Sequence, residues 1–251
     1  MEISELIAQF DPIGLDEMDE VRLMKRTDTK YVFHDEFLTP LIEGIIGDYR
    51  VLEVNGVRSN RYRTLYLDTD AFDFYLQHQN GKLNRNKVRF RKYVDSDVCF
   101  LEIKFKNNKG ETIKKRIEVD DFEKELTEDQ LAFVTQNTPV KDGLTPKLWN
   151  SFNRITFVSL ETEERLTIDY NLEFKFGDEH LELPHVVIAE LKQKRLDRNS
   201  SFARMAKKLQ VRDSRISKYC VGSALLNEEL KHNRFKSKLL TLKKISNGMV
   251  A

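Results

Sequence analysis

The chain has 251 residues, 40% of them hydrophobic, which is enough to build a core and excludes global disorder. Two cysteines, Cys99 and Cys220, stand far apart without CxxC or His-rich company, which excludes a disulfide framework by count and argues against structural zinc. Charged residues reach 33%, and a net charge of only +1 hides a strong local asymmetry.

The first 21 residues form an acidic leader with the pattern of short helices. Seven acids (Glu2, Glu5, Asp11, Asp16, Glu17, Asp19, Glu20) precede Arg22 with no base among them. A secretory signal would be basic then apolar, and no run approaches the ~20 apolar residues of a membrane helix, so a cytosolic or cytosol-facing protein is expected. A strand is expected over Met24–Phe33, then a helix from Asp35, as N-cap, to Ile46. Further helical stretches are Asp120–Gln136 and Ser200–Leu209, and Ser217 can cap a helix running toward Leu230. Residues 232–251 read as a basic, loosely held tail on a single domain spanning 1–251.

Between the helices lie period-2 segments with one charged and one apolar face. Lys87, Arg89 and Arg91 oppose Val88 and Phe90. Glu102, Lys104 and Lys106 oppose Leu101, Ile103 and Phe105. Lys114, Arg116 and Glu118 oppose Ile113, Ile117 and Val119. Arg154 and Thr156, then Arg165, Thr167 and Asp169, and later Glu190 and Lys192, continue the pattern. From Lys82 to Arg116 twelve bases face four acids, and from Lys192 onward sixteen face four. A solvated sheet face usually mixes signs, because like charges opposite one another destabilise it. Two such charges ~4 Å apart repel by about 4 kcal/mol at an effective dielectric near 20, so the fold needs a polyanion to neutralise them. An α+β fold is expected: an antiparallel β-barrel forming a cationic tunnel, with helices packed outside.

The spacing of Arg89 and Arg91, about 6.5–7 Å along one strand face, suits alternate phosphates of a linear chain. Glu102 with Lys104, and Glu190 with Lys192, place a carboxylate beside a phosphate-binding cation, where such a glutamate is more often a charge-balancing ion pair than a metal ligand. The five histidines (34, 78, 180, 185 and 232) show no ligand spacing and read as surface or packing residues. There is no Walker or Rossmann glycine loop, and the aromatic residues mostly occupy apolar positions, which speaks against a base-stacking surface.

Nine stretches in order carry a family resemblance: LMKRTDTKYVF (23–33), RTLYLDT (63–69), KVRFRKY (87–93), FLEIKFK (100–106), TIKKRIEV (112–119), FNRITF (152–157), RLTIDYN (165–171), VIAELKQ (187–193) and RISKYCVG (215–222). The sequence resembles the catalytic domain of the vacuolar transporter chaperone (VTC) family, the polyphosphate polymerases of the triphosphate tunnel metalloenzyme superfamily. The resemblance implies phosphate-binding roles for Lys30, Arg89, Arg91, Lys104, Lys114, Arg116, Arg154, Arg165, Lys192, Ser217 and Lys218. Of these, Lys218, Arg89, Arg91 and Lys104 would act on the transferred group, and Glu190 would hold a divalent metal, manganese by analogy, with magnesium as the other choice. The hydrolytic branch opens with Glu-x-Glu-x-Lys, whereas the stretch from Lys25 to Lys30 has Arg26 and Asp28 in place of the two glutamates. The resemblance therefore implies transfer of the γ-phosphate of ATP to growing polyphosphate. A tunnel triphosphatase, a non-catalytic polyphosphate-binding module and a nucleic-acid-binding protein are the rival readings. The partners expected are ATP and polyphosphate or pyrophosphate, with neither nucleic acid nor membrane insertion, and with a membrane protein as a candidate recipient of the product.

Overall fold

A computed structural model describes residues 2–20, 27–140 and 143–250. The leader contains α1 (Ile3–Ile7), the short β1 (Pro12–Ile13) and α2 (Leu15–Glu20), followed by β2 (Thr27–His34), a 3-10 turn at Asp35–Phe37 and α3 (Leu38–Glu43). Then come β3 (Tyr49–Leu52), β4 (Ser59–Asp68), α4 (Asp73–Gln79), β5 (Arg85–Tyr93), β6 (Val98–Lys106), β7 (Thr112–Val119) and α5 (Glu128–Asn137). The C-terminal half carries β8 (Thr145–Ser159), β9 (Glu164–Phe176), β10 (Glu179–Leu183), β11 (Val186–Gln193), α6 (Ser201–Lys208), α7 (Lys218–Leu226) and α8 (Lys236–Ser246). The first part of the strand expected over Met24–Phe33 lies outside the described residues.

Among the described residues eleven strands join in one sheet whose main path runs β2-β11-β9-β8-β4-β5-β6-β7, antiparallel throughout. β1 adds to β3 in parallel, and β3 and β10 pair with β8 and β9. The outer strands β2 and β7 are not paired with each other among the described residues, so hydrogen bonding does not close the barrel. The sheet nevertheless curls strongly. Lys104 on β6 and Glu190 on β11 are five strands apart along the path, which in a flat sheet would separate them by about 24 Å. Yet each lies within the other's electrostatic reach, as do Lys30 on β2 and Lys87 on β5.

The alternation read from sequence fixes which face turns outward. Phe33, Ile155, Phe157, Leu166, Ile168, Ala189 and Leu191 pack beneath α1, α3 and α6, with Leu41, Ile42, Ile45 and Phe202. Leu65, Val88, Phe90, Leu101 and Ile103 pack beneath α5 through Val134. The inner face departs from pure charge at a bulge in the β8–β9 pairing, where Asn171 is left-handed (φ 52°). The shift breaks the alternation after Asp169, so that Leu172 and Phe174 join the inward cluster.

That apolar patch receives α7, which enters the concave side instead of packing outside like α1, α3, α5 and α6. Tyr219, Cys220, Val221, Gly222, Ser223 and Ala224 are all buried, because the segment is apolar on every side. Gly222 permits the approach: a Cβ there would stand 2.4 Å from the Phe174 ring and 2.8 Å from Leu148.

Three local expectations are corrected. The cap at Asp35 belongs to His34, whose Nδ1 accepts from Glu36 N, and the helix after it is shorter than Asp35–Ile46. The helix expected from Asp120 begins only at Glu128, where a Thr127/Gln130 capping box starts it. The segment expected as a loose tail forms α8, whose Leu239, Leu242 and Ile245 are buried in the same cluster as α7. No helix among the described residues is long and apolar enough to cross a membrane.

Candidate functional site

Strand register gathers the inner charges around three carboxylates, Glu102 and Asp169 buried and Glu190 partly so. Arg89 stands opposite Glu102, and Glu102 opposite Arg116. Arg89 donates to Glu102 Oε2 from Nη2 at 2.6 Å and from Nε at 2.9 Å, while Lys114 takes the other carboxylate oxygen. Arg154 stands opposite Asp169 and grips it at both oxygens, at 2.5 and 2.8 Å, and Lys218 from the first position of α7 joins the same carboxylate. Glu190 stands opposite Lys30, 3.6 Å away as an ion pair, and contacts Lys192 two residues along its own strand.

Each carboxylate shows the same balance. Burial opposes ionisation of Glu102, but Arg89, Arg91, Lys114 and Lys104 outweigh it and hold the carboxyl well below its usual range. Burial likewise opposes Asp169, and Arg154 and Lys218 overcome it. For Glu190 the burial cost is overcome by Lys192, Lys30 and Lys104. All three are therefore anions at neutral pH.

The cations outnumber them. Lys87, Lys104 and Lys114 form a row of directly opposed lysines across β5, β6 and β7, an arrangement that costs stability in the absence of a counter-anion. Lys114 turns to Glu102, and Lys87 donates to Ser217 Oγ at 3.0 Å. Lys104 has no ion-pair or hydrogen-bond partner among the described residues, and Arg89, then burial and Arg91, push its pKa far below the ordinary lysine value. Among the described residues the Arg91 guanidinium makes only a 3.3 Å bond to Thr64 Oγ1, and it lies over the Tyr62 and Phe152 rings. Burial, then Arg89, lowers its pKa.

The N-terminus of α7 completes the cluster. Ser217 caps the helix by accepting from Cys220 N, and Lys30 donates to the Ile216 carbonyl at 3.1 Å. Asp68 anchors this end from below. It accepts backbone N–H bonds from Thr69, Phe74 and Tyr75 at 2.9 Å each and the Tyr219 hydroxyl at 2.5 Å. Tyr219 in turn stacks on Tyr66, whose hydroxyl accepts from Arg89 at 3.4 Å.

Of the residues singled out from sequence, Lys30, Arg89, Arg91, Lys104, Lys114, Arg154, Lys192, Ser217, Lys218 and Glu190 converge on this cleft. Two stand apart from the carboxylate clusters. Arg116 is exposed with its guanidinium 4.2 Å over the Phe100 ring, and Arg165 donates to the Met18 carbonyl at 3.0 Å, tying the leader to β9. Lys87 and Asp169 lay on the charged faces but received no role from sequence, Glu102 was read beside Lys104 as an ion pair or a metal ligand, and Asp68 lay inside a matched stretch. Only the register shows them as organising groups.

A metal implied by the resemblance can be weighed against the residues at Glu190. The two ammonium groups beside it oppose a bare cation. Thr167, directly across the strand pair from Glu190, has a buried hydroxyl without a hydrogen-bond partner among the described residues. One carboxylate and one free hydroxyl suit a hard divalent ion whose remaining ligands come from phosphate oxygens.

An antiparallel sheet curled around a buried, cation-rich cleft defines a protein that handles polyanions. The VTC domain family matches residues 25–227, and the chain belongs to that family. No curated protein matches the chain. Similar solved structures include a proposed adenylate cyclase from Bacillus halodurans (15% identity, 77% of this chain and 96% of that one, TM-score 0.49). Others are a proposed adenylyl cyclase from Hippeastrum described as having a dominant triphosphatase activity (14%, 79% and 96%, 0.48) and a conserved hypothetical protein from Pyrococcus furiosus (12%, 78% and 99%, 0.45).

Proposed function

We propose that the protein is a polyphosphate polymerase that transfers the γ-phosphate of ATP to a growing inorganic polyphosphate. The observation that carries this reading is the surplus of cations in the cleft. Among the described residues Lys104 and Arg91 lack a carboxylate, and Lys87 has only a hydroxyl for a partner, in a cleft where Glu102, Asp169 and Glu190 are already shared. Phosphoryl transfer asks a protein chiefly to position the donor and acceptor and to stabilise charge on the transferred oxygens. Arg89 and Arg154 are held rigidly by their carboxylates and present fixed guanidinium forks, while Lys104 and Lys218 supply movable point charges. Ser217 and Lys218 at the start of α7 add the positive end of the helix dipole. Glu190 with Thr167 would hold a divalent ion, manganese on the family's analogy, which when bound neutralises the oxygens between donor and acceptor.

The test is incubation of pure protein with ATP and Mn²⁺, with products resolved on a gel. Long polyphosphate with ADP is expected. Glu190→Gln should abolish synthesis while metal-free polyphosphate binding holds or tightens, because the substitution removes an anion from the cleft. Free phosphate as the sole product would replace this reading with hydrolysis. Tight binding without turnover would replace it with a polyphosphate-binding module.

A further inference from the structure

Away from the carboxylate clusters, the end of the β2–β11 pair brings together two histidines far apart in sequence. His34 closes β2, and His185, left-handed at φ 62°, lies in the turn before β11. The Asp35 N–H donates to the His185 carbonyl at 2.9 Å, which fixes the two turns together. The two imidazoles stack, with centroids 4.9 Å apart and planes at 5°. Both turn Nδ1 toward one carboxylate: His34 Nδ1 is 3.2 Å from Asp35 Oδ1, and His185 Nδ1 is 3.1 Å from Asp35 Oδ2. Glu36 Oε2 stands 3.8 Å from His34 Nδ1.

The two nitrogen–oxygen separations, one to each oxygen of Asp35, are close to the edge of a ligand tetrahedron. Donor atoms held 2.0–2.1 Å from a tetrahedral ion stand about 3.3 Å from one another. One candidate ligand atom each from His34, Asp35 and His185 lies within 4.8 Å of the other two. The hydrogen-bond inventory is also inconsistent for a neutral imidazole. His34 Nδ1 faces the Glu36 N–H at 3.2 Å, which needs a lone pair, and the Asp35 carboxylate, which needs a proton or a cation. His34 is buried, whereas His185 and Asp35 are about half exposed, which leaves an ion a route in from solvent. Two imidazoles and a carboxylate favour a borderline ion over the hard cations that suit all-oxygen sites.

We propose that His34, Asp35 and His185, with Glu36 beside them, form a site for a borderline divalent transition-metal ion of the Zn²⁺ kind. Ligation exchanges the Glu36 N–H bond for the ion and requires the two rings to turn from their parallel stack. The site is separate from Glu190: His34 lies four residues beyond Lys30 on β2, about 13 Å along the strand. An ion there staples the 3-10 turn to the start of β11, the strand that carries Glu190.

The test uses tag-free, metal-stripped protein in phosphate-free buffer. Calorimetric titration with Zn²⁺ should give one site. At a hundredfold excess over the dissociation constant, Zn²⁺ should raise the melting temperature by about 5–10 °C. Co²⁺ should give the visible absorption of a tetrahedral nitrogen–oxygen site, and Mg²⁺ should give neither signal. His185→Ala and Asp35→Asn, both at exposed side chains, should weaken Zn²⁺ binding by at least 10–100-fold. Glu190→Gln should keep the wild-type stoichiometry, and so should Cys220→Ser, which removes the one thiol paired with an imidazole, 2.9 Å from His78 Nδ1. Absence of Zn²⁺ uptake would overturn the site, as would unchanged binding in both His185→Ala and Asp35→Asn. Loss of uptake in Glu190→Gln or Cys220→Ser would also overturn it, by moving the ion elsewhere.

Discussion

Lys104→Met keeps most of the lysine stem and removes one charge from the most crowded point of the cleft. A unit charge about 7–8 Å away, the usual diagonal distance across paired strands, contributes about 2 kcal/mol at an effective dielectric near 20. Arg89 and Arg91 act on Lys104 with that sign against it, and burial adds to them. Glu102 and Glu190 act in its favour, but Glu102 is already shared by Arg89 and Lys114 and Glu190 by Lys30 and Lys192. The net relief is about 1–2 kcal/mol, or a rise of about 2–8 °C in Tm for a domain of this size. Differential scanning calorimetry at pH 7 and low salt should show this gain in Lys104→Met without ligand, and a smaller stabilisation by tripolyphosphate than in the wild type. The pH dependence has a definite sign. The folded protein holds the Lys104 proton less tightly than the unfolded chain, so wild-type stability rises with pH until the ordinary value of 10.5 is passed, and the variant's advantage fades over that range. A lower Tm for Lys104→Met at pH 7 without ligand would show that the ammonium is a satisfied structural group, and the argument from surplus charge would fall.

Three further outcomes are expected. Lys87 is held down to about 8 by burial first and then by Lys30, Arg85 and Arg89, so the wild type should gain stability between pH about 8 and 10.5, and urea midpoints of Lys87→Met should lack that part of the rise. Gly222→Ala drives a methyl group against Phe174 and Leu148 and should cost about 1–3 kcal/mol by chemical denaturation; an unchanged midpoint would mean that α7 does not press on the sheet. Leu242→Ala should cost about 2–5 kcal/mol, since α8 is part of the core, whereas a loose tail would leave stability unchanged.

Much of the inner face was legible because a strand's side chains alternate strictly. Arg89, Lys104, Lys114, Arg154 and Glu190 could be assigned to one side from their neighbours alone. What escaped was whatever depends on partners distant in sequence. The bulge at Asn171 shifts the register of β9 and turns Leu172 and Phe174 toward α7, and no local pattern marks a parity change. An all-round apolar segment such as 218–226 can pack on either side of a sheet, and only Gly222 hints at how closely it approaches. The basic residues of α8 drew attention from the spacing of Leu239, Leu242 and Ile245, which already described one buried helix face. His34 and His185 have no spacing relation along the chain, and only the pairing of β2 with β11 makes them neighbours.

On the proposed function, the three carboxylates of the cleft would also set a threshold for what can enter it. Each is tethered to its cations by the backbone, so it competes with incoming anions at an effective concentration fixed by the fold rather than by solution. A lone phosphate or sulfate would have to displace such a tethered rival at one position with nothing gained at the next. On the proposed function, a linear polyanion would displace Glu102 from Arg89 and Lys114 and Asp169 from Arg154 and Lys218 in a single binding event, and would also meet the unmatched charge of Lys104. Discrimination by length would then belong to the resting cleft, and neutralising a carboxylate should erode that discrimination even where it strengthens binding.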